Sequence, residues 1–568
     1  MIIGLEKSHI RASIESYLRK EILNPFAILL YGPHAGGYAD EEVAINALSI
    51  VESSKPILKY YVKRFNSIRV RLLIADKQTF EGDVEKEQLG GMLAEILVTP
   101  YEPLLNESYL WEKEVEVKKR IINNILRNLI LSFPEMSRVF IIKPEYFMFE
   151  AIKERALLFP LIVYKFLNIC GREARERNYS LMMRGFTEAL KRLLHEGKIN
   201  VFDGFFRISE EYINSVLKER IDWHLKKLFK SARIRIIRHL IKVLPAIINP
   251  LLDEYRIYRK HITRYGGERR AVLKLENPRK YIFIPTSLGM IPFTEKTSID
   301  EFLKKYMSQK YILKHEVKRL GGVLNSVYLL KIFDGEREEK IVVKIFKDWY
   351  GWKWFPLALW TLGTKDFTIL GRSRLEKEYA INTFLMENGI NVPRIIYVAP
   401  EEKILFQEFI EGNSLSRIIR ALLKDEEDSE RRSKLIKIVK QVGEEIAKVH
   451  GLGVSIGDCK PENMILSPDG RIFFVDLEQA ERGGDQSWDI AEFLYYLGHY
   501  ASFSGSQCVK EAVGEFIRGY LEANGRIETI RRALSPRYLK VFGILLPPHL
   551  ILTISNACKR IIESRGVT

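Results

Sequence analysis

The feature that most constrains this 568-residue chain is a short polar motif, IGDCKPENMIL, at residues 456–466. The motif places a carboxylate at Asp458, an ammonium group at Lys460 and an amide at Asn463, directly before an apolar run. A turn that opens on a helix cap can carry the same residues. The segments on either side of the motif therefore decide its meaning.

Two predicted elements upstream carry charged residues. EEKIVVKIF reads as an apolar strand with Lys344 near its end. RLEKEYAINTFLMEN reads as a helix that ends at an Asn-Gly pair and carries Glu378, with Glu376 as the alternative. Between this helix and the motif, KILFQEFIEGNSL reads as a further strand, with Glu408 and Ile410 at its end.

Two predicted elements follow the motif. FFVDLEQA puts Asp476 directly after an apolar strand, thirteen residues past Asn463. WDIAEFLYYLGHY is a predicted helix that carries Asp489, thirteen residues past Asp476. Strands therefore dominate the first part of the C-terminal half and helices the second part, which predicts an α+β arrangement in two lobes.

A glycine pair precedes all of these elements. RLGGVLNSVYLLK (319–331) contains Gly321, Gly322 and Asn325, and Gly322 stands 22 residues before Lys344. Glycines allow a backbone to approach phosphate groups closely, and an amide side chain can bond one of them. The position of this loop ahead of a strand lysine makes it a candidate phosphate loop.

In this order and spacing, residues from about 300 to 560 resemble the protein-kinase-like superfamily, specifically its atypical branch. The Gly-Gly-x-x-Asn loop is similar to that of choline-kinase and aminoglycoside-phosphotransferase relatives. The short interval from Asp476 to Asp489 leaves no room for an activation segment, and this compression is similar to RIO-type kinases and the KEOPS-complex kinase. The resemblance implies a protein-kinase-like fold that uses ATP and Mg²⁺.

The resemblance also implies a role for each residue. Asp458 would orient the acceptor hydroxyl and Lys460 would neutralise charge on the transferred phosphoryl group, while Asn463 and Asp476 would bind the metal. The residues that the resemblance assigns to ATP are Gly321, Gly322, Asn325, Lys344, Glu378, Glu408 and Ile410.

Two positions depart from the family pattern. Ile456 stands where kinases usually carry histidine or tyrosine, and Glu478 replaces the glycine that lets the metal-binding segment move. Neither position transfers a proton or binds a metal. We therefore expect an active site, because the remaining key residues are kept: Lys344, Glu378, Asp458, Asn463 and Asp476.

The hypothesis is an atypical serine/threonine protein kinase that transfers the γ-phosphate of ATP to a protein hydroxyl. Lys460 favours a protein acceptor, whereas the Gly-Gly-x-x-Asn loop favours a small molecule. Two alternatives thus remain. One is a small-molecule phosphotransferase, and the other is an ATP-sensing pseudokinase that regulates a nucleic-acid process.

Residues from about 25 to 100 are predicted to form a strand, a Gly/Pro-rich turn, a helix and a second strand, IRVRLLIAD. A second resemblance lies in this region, in LLYGPHAGGYADEEVAINALSIVE (29–52). Its glycines are in register with the nucleotidyltransferase signature, but Ala44 and Asn46 replace the two metal-binding aspartates, and an arginine replaces the third carboxylate in SIRVRLLI. Two-metal chemistry requires those carboxylates. This resemblance implies a nucleotidyltransferase-like fold without transferase activity, and an unrelated Gly-rich turn is the alternative.

The middle of the chain is helical and basic. A predicted helix over 181–198 and a hairpin around Asp203-Gly204 resemble a winged-helix module. Residues 226–270 hold 13 Lys and Arg against 3 Asp and Glu, which is compatible with packing, nucleic-acid binding or a membrane surface. We predict a nucleotidyltransferase-like domain over 1–105, helices over 106–180, a winged-helix-like segment over 181–265 and a kinase-like domain over 275–568.

Composition narrows the class further. The net charge of +16 favours an anionic partner, and the Ile-, Lys-, Arg- and Glu-rich make-up is common in heat-adapted proteins. The four cysteines form no C-x-x-C pair, and the apolar runs are too short or interrupted to span a bilayer, so we expect a cytoplasmic protein. A tryptophan-rich insert (346–367) is either a docking patch or a seam between domains.

Overall fold

The computed structural model describes residues 24–226, 248–260 and 276–565, with the isolated residues 16 and 245. The gaps within these ranges are 41, 66–67, 159–161, 170–174, 310–313, 322–324, 334–337, 349–367, 369, 425–428, 502–505 and 544–545. The chain divides into two compact units, Met1–Phe283 and Ile284–Thr568. Helices and strands occur in both, which confirms the α+β class, whereas the division into four domains stays a prediction.

The first unit begins with a five-stranded sheet in the order β3-β4-β2-β1-β5. Its strands are β1 (Pro25–Tyr31), β2 (Ile45–Val51), β3 (Leu58–Phe65), β4 (Ile68–Asp76) and β5 (Tyr101–Leu105). Strand β2 is parallel to β4, and the other neighbours are antiparallel. The sequence predicted a helix before β4, which is wrong, because β2 and β3 occupy that stretch. Strand β2 is buried along its whole length, and a short apolar run of this kind does not distinguish a helix from a buried strand.

The first unit also contains helices, of which the first two lie between strands of the sheet and the others follow it. They are α1 (Pro33–Gly36), α2 (Lys77–Lys86), α3 (Glu107–Ser132), α4 (Pro144–Leu158), α5 (Ile162–Ile169), α6 (Arg175–His195) and α7 (Glu210–Lys226), with a further helical stretch at 248–260. Asp76 caps α2 by accepting the Thr79 N–H at 2.9 Å. Lys118 in α3 is buried, and it bonds Glu114 at 2.6 Å and the Met182 carbonyl in α6 at 2.8 Å. The ion pair lies within α3, and the hydrogen bond to Met182 links α3 to α6.

A small second sheet contains β6 (Ile141–Ile142), β7 (Ile199–Phe202), β8 (Phe205–Ile208) and the start of β9 (Ile282–Thr286). Asp203 and Gly204 join β7 to β8 with φ angles of 48° and 77°. Two positive φ angles are typical of a type I′ turn, so the predicted hairpin is confirmed. Ser209 then caps α7 through the Tyr212 N–H. That these elements form a winged helix stays a prediction.

The second unit contains β10 (Gly289–Pro292), α8 (Ile299–Gln309) and a five-stranded antiparallel sheet in the order β11-β12-β13-β15-β14. Its strands are β11 (Lys314–Gly321), β12 (Asn325–Phe333), β13 (Glu338–Phe346), β14 (Ile395–Ala399) and β15 (Ile404–Glu408). Helix α9 (Gly371–Glu387) lies between β13 and β14 in the chain. Leu330, Val343 and Phe406 pack with Phe302 of α8 in one hydrophobic core.

Helices dominate the rest of this unit, as the sequence predicts. They are α10 (Leu415–Lys424), α11 (Ser429–Gly451), α12 (Gln486–His499), α13 (Ser506–Glu522), α14 (Ile527–Ala533), α15 (Pro536–Phe542) and α16 (Pro548–Arg565). The short strand β16 (Asn413–Ser414) directly precedes α10. Four more short strands stand between α11 and α12: β17 (Val454–Ser455), β18 (Met464–Leu466), β19 (Ile472–Phe474) and β20 (Glu481–Arg482). The polar motif lies between β17 and β18, and Asp476 follows β19, so two strand ends present the candidate catalytic residues.

Some predictions fall outside the described residues. These are Gly322, most of the tryptophan-rich insert and most of the basic run at 226–242. Within the part of the chain that the structure describes, no helix combines the length and the apolar character that crossing a membrane requires.

Candidate active site

Lys344 is the central charged residue of the candidate site. Its Nζ atom lies 2.7 Å from Glu378 Oε1 and 3.2 Å from Asp476 Oδ1. Burial lowers the pKa of the Lys344 ammonium, but the charges of Asp476 and Glu378 outweigh burial, so the pKa lies above its usual range. Lys344, on β13, is therefore a cation that bonds Glu378 of α9 and Asp476, which follows β19.

Helix α9 is placed for this contact by its first residue. A Cβ atom on Gly371 would lie 2.6 Å from the carbonyl oxygen of Phe346, so only glycine allows α9 to begin this close to the end of β13. The Gly371 N–H also donates to Asp348 at 2.7 Å. Glu378 is then turned toward Lys344, and its side chain is almost fully buried.

The polar motif forms a compact loop. Lys460 Nζ donates to Asp458 Oδ2 at 2.8 Å, and Asn463 Nδ2 donates to the Asp458 carbonyl at 3.0 Å. Burial lowers the pKa of Lys460, but the neighbouring Asp458 carboxylate outweighs it and raises the pKa above its usual range. The structure thus brings together the two residues predicted to be catalytic and one predicted to bind a metal.

The backbone of this loop is anchored from α12. Asp489 is fully buried, and its two carboxylate oxygens accept the N–H groups of Ile456 and Gly457, both at 2.7 Å. His450 Nε2 lies 3.0 Å from Asp489 Oδ2. One turn later in the same helix, Glu492 accepts the Cys459 N–H at 2.7 Å. The loop geometry therefore depends on carboxylates in α12, while the Ile456 side chain packs in the apolar core.

Asn325 is hydrogen-bonded to two other side chains of the protein. Its Nδ2 atom donates to Glu478 Oε2 at 2.5 Å, and its Oδ1 atom accepts from Arg374 Nη1 at 2.8 Å. In this arrangement both amide atoms bond within the protein, because Glu478, a buried carboxylate in place of a glycine, requires hydrogen-bond donors around it. That the Asn325 amide binds a phosphate stays a prediction.

The other residues predicted to bind ATP occupy the expected elements. Gly321 ends β11 and is paired with Val327 of β12 across an irregular register. Glu408 ends β15, where its N–H donates to the Arg394 carbonyl at 3.0 Å. Ile410 lies two residues later and is half-buried.

Oxygen donors suited to Mg²⁺ stand together at Asn463 and Asp476. Mg²⁺ binds through one or two carboxylates together with substrate phosphates. Because Asn463 Nδ2 is bonded to a carbonyl, its Oδ1 atom is free to face a cation. The side chains of Asn463 and Asp476 therefore fit a Mg²⁺ ion. Within the described residues there is no cluster of three or more His, Cys, Asp or Glu that could hold a metal.

Sequence reasoning missed Arg374. This residue lies in α9, four positions before Glu378, and its side chain is fully buried between Asn325 and Glu478. Its one signal was Glu478 itself, because a carboxylate at a position normally occupied by glycine needs a cationic partner. The sequence does not say which arginine supplies it.

The N-terminal motif shows why metal chemistry is not expected there. Asn46 on β2 is in register with Arg71 on the parallel strand β4. Arg71 Nη1 lies 2.7 Å from Asp253 Oδ2, in a buried ion pair. The strand position next to Asn46 therefore carries a cation that already has its own carboxylate partner. The nucleotidyltransferase-like identity of this region stays a prediction.

The geometry of the second unit defines a class. A strand lysine paired to a helix glutamate, a polar loop with Asp458 and Asn463, and a following Asp476 are the parts of an atypical protein-kinase-like phosphotransferase. The sequence profile of the lipopolysaccharide kinase (Kdo/WaaP) family matches residues 332–520, which supports this class and ATP as its cofactor.

Three relatives agree with the class. The chain is 28% identical to the KEOPS complex subunit Bud32 of Pyrococcus abyssi over 156 residues, which is 28% of this chain and 66% of the relative. It is 31% identical to a BUD32 homologue of Archaeoglobus fulgidus, named as a probable serine/threonine-protein kinase, over 28% of this chain and 76% of the relative. It is 28% identical to the EKC/KEOPS complex subunit bud32 of Dictyostelium discoideum over 16% of this chain and 35% of the relative. The chain belongs to the Bud32 family.

Proposed function

We propose that the protein is an atypical serine/threonine kinase that transfers the γ-phosphate of ATP to a protein hydroxyl in the presence of Mg²⁺. The observation that carries the proposal is the position of Lys344 between Glu378 and Asp476, at 2.7 Å and 3.2 Å. A phosphate-gripping lysine requires a partner that orients it, and here the partner is buried.

Each residue of the site then has its own role in phosphoryl transfer. Lys344 orients the α- and β-phosphates, and Asp458 accepts or orients the proton of the attacking hydroxyl. Lys460, bonded to Asp458 at 2.8 Å, supplies positive charge beside the transferred group. Asn463 and Asp476 would hold Mg²⁺, which neutralises charge on the phosphates when it is bound.

The relatives support a protein acceptor and a protein partner. One relative is named as a serine/threonine-protein kinase and two as complex subunits, and we extend both properties to this chain as part of the proposal. The short interval between Asp476 and Asp489 favours the second candidate, a small-molecule phosphotransferase, because it leaves little surface on which a peptide could dock.

The test uses the full chain, ATP labelled at the γ-phosphate, Mg²⁺, and separate protein and metabolite acceptor pools. Wild type is compared with Asp458→Ala and with the control Asp469→Ala, which changes an exposed turn. We expect label on protein with wild type and the control, and a loss of at least about 100-fold with Asp458→Ala while ATP still binds. Label that appears only on metabolites would establish the second candidate, and ATP binding without any transfer would overturn both.

A further inference from the structure

Three buried side chains connect the three segments that carry the candidate site. Arg374 Nη1 lies 2.8 Å from Asn325 Oδ1 and 3.0 Å from Glu478 Oε1, and Asn325 Nδ2 lies 2.5 Å from Glu478 Oε2. Asn325 begins β12 directly after the glycine loop, Arg374 belongs to the helix that carries Glu378, and Glu478 follows Asp476 by two residues. We call these three side chains the buried triad.

Burial makes the triad a single unit. Arg374 is 0% exposed, Glu478 4% and Asn325 7%. A buried charge that loses its partner carries a large desolvation cost, so neither Arg374 nor Glu478 can leave alone. Arg374 also donates to the carbonyl of Lys347, just beyond the strand that carries Lys344. Displacement of any one segment would therefore break bonds to the others.

The triad bears on Asp476 directly. Asp476 has a φ angle of 66°, in the left-handed region that residues other than glycine adopt only when their surroundings hold them there. On one side its carboxylate is bonded to Lys344 at 3.2 Å. On the other side the chain is fixed two residues later by Glu478. A glycine at position 478 would supply no such restraint.

We propose that the buried triad is a positioning device that holds Asp476 in its metal-binding place before ATP arrives. Glu478, which departs from the family glycine, is then a gain of rigidity in a site that has no long activation segment to order it. The inference rests on the proposed function, because it takes Asp476 to act on Mg²⁺ with ATP. It adds that the site is preassembled and needs no ordering by phosphorylation.

A merely structural ion pair would behave differently. Replacing both Arg374 and Glu478 by methionine removes the two charges together, so much of the stability lost in either single variant should return, although the buried Asn325 amide loses both partners. If the triad only supports the fold, Mg²⁺ should tighten ATP binding by this double variant as much as it does for wild type. If the triad positions Asp476, the double variant should regain stability, but Mg²⁺ should tighten its ATP binding less than it does for wild type.

The experiment measures ATP affinity by calorimetry with and without Mg²⁺, together with the melting temperature, for wild type, R374M, E478M and R374M/E478M. The matched control is R432M, which breaks a partly buried pair with Glu511 on α11 and α13. We expect R374M and E478M to melt earlier and the double variant to recover. We expect the tightening of ATP binding by Mg²⁺ to fall at least about tenfold in the double variant and to be unchanged in the control.

Two further variants test the proposal in case the double variant does not fold. Glu478→Gln keeps the length of the side chain and one acceptor oxygen, and it should keep the Mg²⁺ effect within about threefold, whereas Glu478→Gly should lose about tenfold. An Mg²⁺ effect equal to wild type in R374M/E478M, or in Glu478→Gly, would overturn the positioning role alone. ATP binding that is absent in wild type would instead overturn the proposed function itself.

Discussion

The carboxylate of Asp489 accepts the backbone N–H of Ile456 at 2.7 Å, with Asp489 fully buried in α12. A second oxygen of the same carboxylate accepts the N–H of Gly457 at 2.7 Å. The loop that carries Asp458 is thus oriented through its backbone. The departure at Ile456 from the residues that kinases usually carry does not remove this anchor.

Asp489→Asn should slow transfer by about 10- to 100-fold, because one of the two backbone N–H groups loses its acceptor and the loop loosens. Leaving a buried N–H unsatisfied should also cost about 1–3 kcal/mol of unfolding free energy. Initial rates and denaturant unfolding measure the two effects. Asp469→Asn, in an exposed turn, is the control and should change neither. A transfer rate equal to wild type in Asp489→Asn would show that the anchor is unimportant.

Lys344→Met should lower the transfer rate by about 100-fold or more, because the substitution removes the cation that we propose to face the nucleotide phosphates. It also leaves Glu378 and Asp476 without their shared partner, so the melting temperature should fall as well. The rate is measured with ATP in excess over its dissociation constant, which separates lost binding from lost turnover.

Lys331→Met is the matched control for that variant. Lys331 lies on the neighbouring strand β12 and pairs with Glu338 at 3.3 Å near the surface. This change should leave the transfer rate within about twofold, since a surface ion pair contributes little. Equal losses in the two variants would mean that the sheet, and not Lys344, is what the activity depends on.

A buried glutamate in the first unit predicts a pH-dependent stability. Glu254 accepts from Tyr38 Oη at 2.9 Å and from Asn168 Nδ2 at 2.7 Å. Burial raises the pKa of Glu254 to about 7, although both hydrogen bonds oppose the shift. The folded protein therefore binds this proton more tightly than the unfolded chain does.

The stabilising contribution of the Glu254 proton is complete below about pH 4.5 and is lost as the pH rises to about 7. The shift corresponds to roughly 3 kcal/mol of unfolding free energy. Glu254→Gln cannot ionise, so its stability should fall less between pH 5 and pH 8 than that of wild type. Denaturant unfolding at several pH values measures the difference. The exposed Glu211→Gln should follow the wild-type profile, and identical profiles for all three proteins would contradict the assignment.

Local chemistry explains which parts of the fold the sequence predicts. The Asp203-Gly204 hairpin follows from the positive φ angles that its turn requires, and the strand with Lys344 follows from an apolar run of strand length. The buried strand β2 was missed, because a continuously apolar run lacks the alternation that identifies a half-exposed strand.

The candidate site divides in the same way. The resemblance to kinase-like proteins implied the contact between Lys344 and Glu378, with Glu376 as the alternative, and the structure shows Glu378 in this contact. The sequence did not predict the partners of Asn325. They depend on which of several basic residues in α9 faces the sheet, and Arg374 was distinguished only by packing in three dimensions.

The most direct test of the central claim is phosphate transfer from γ-labelled ATP with Mg²⁺, with wild type beside Asp476→Ala. The account predicts label on protein with wild type and its disappearance with Asp476→Ala, because Asp476 contacts Lys344 and is the carboxylate that we propose to hold the metal. Label that persists in Asp476→Ala would contradict the account. Wild type that binds ATP but neither transfers nor hydrolyses it would contradict it equally.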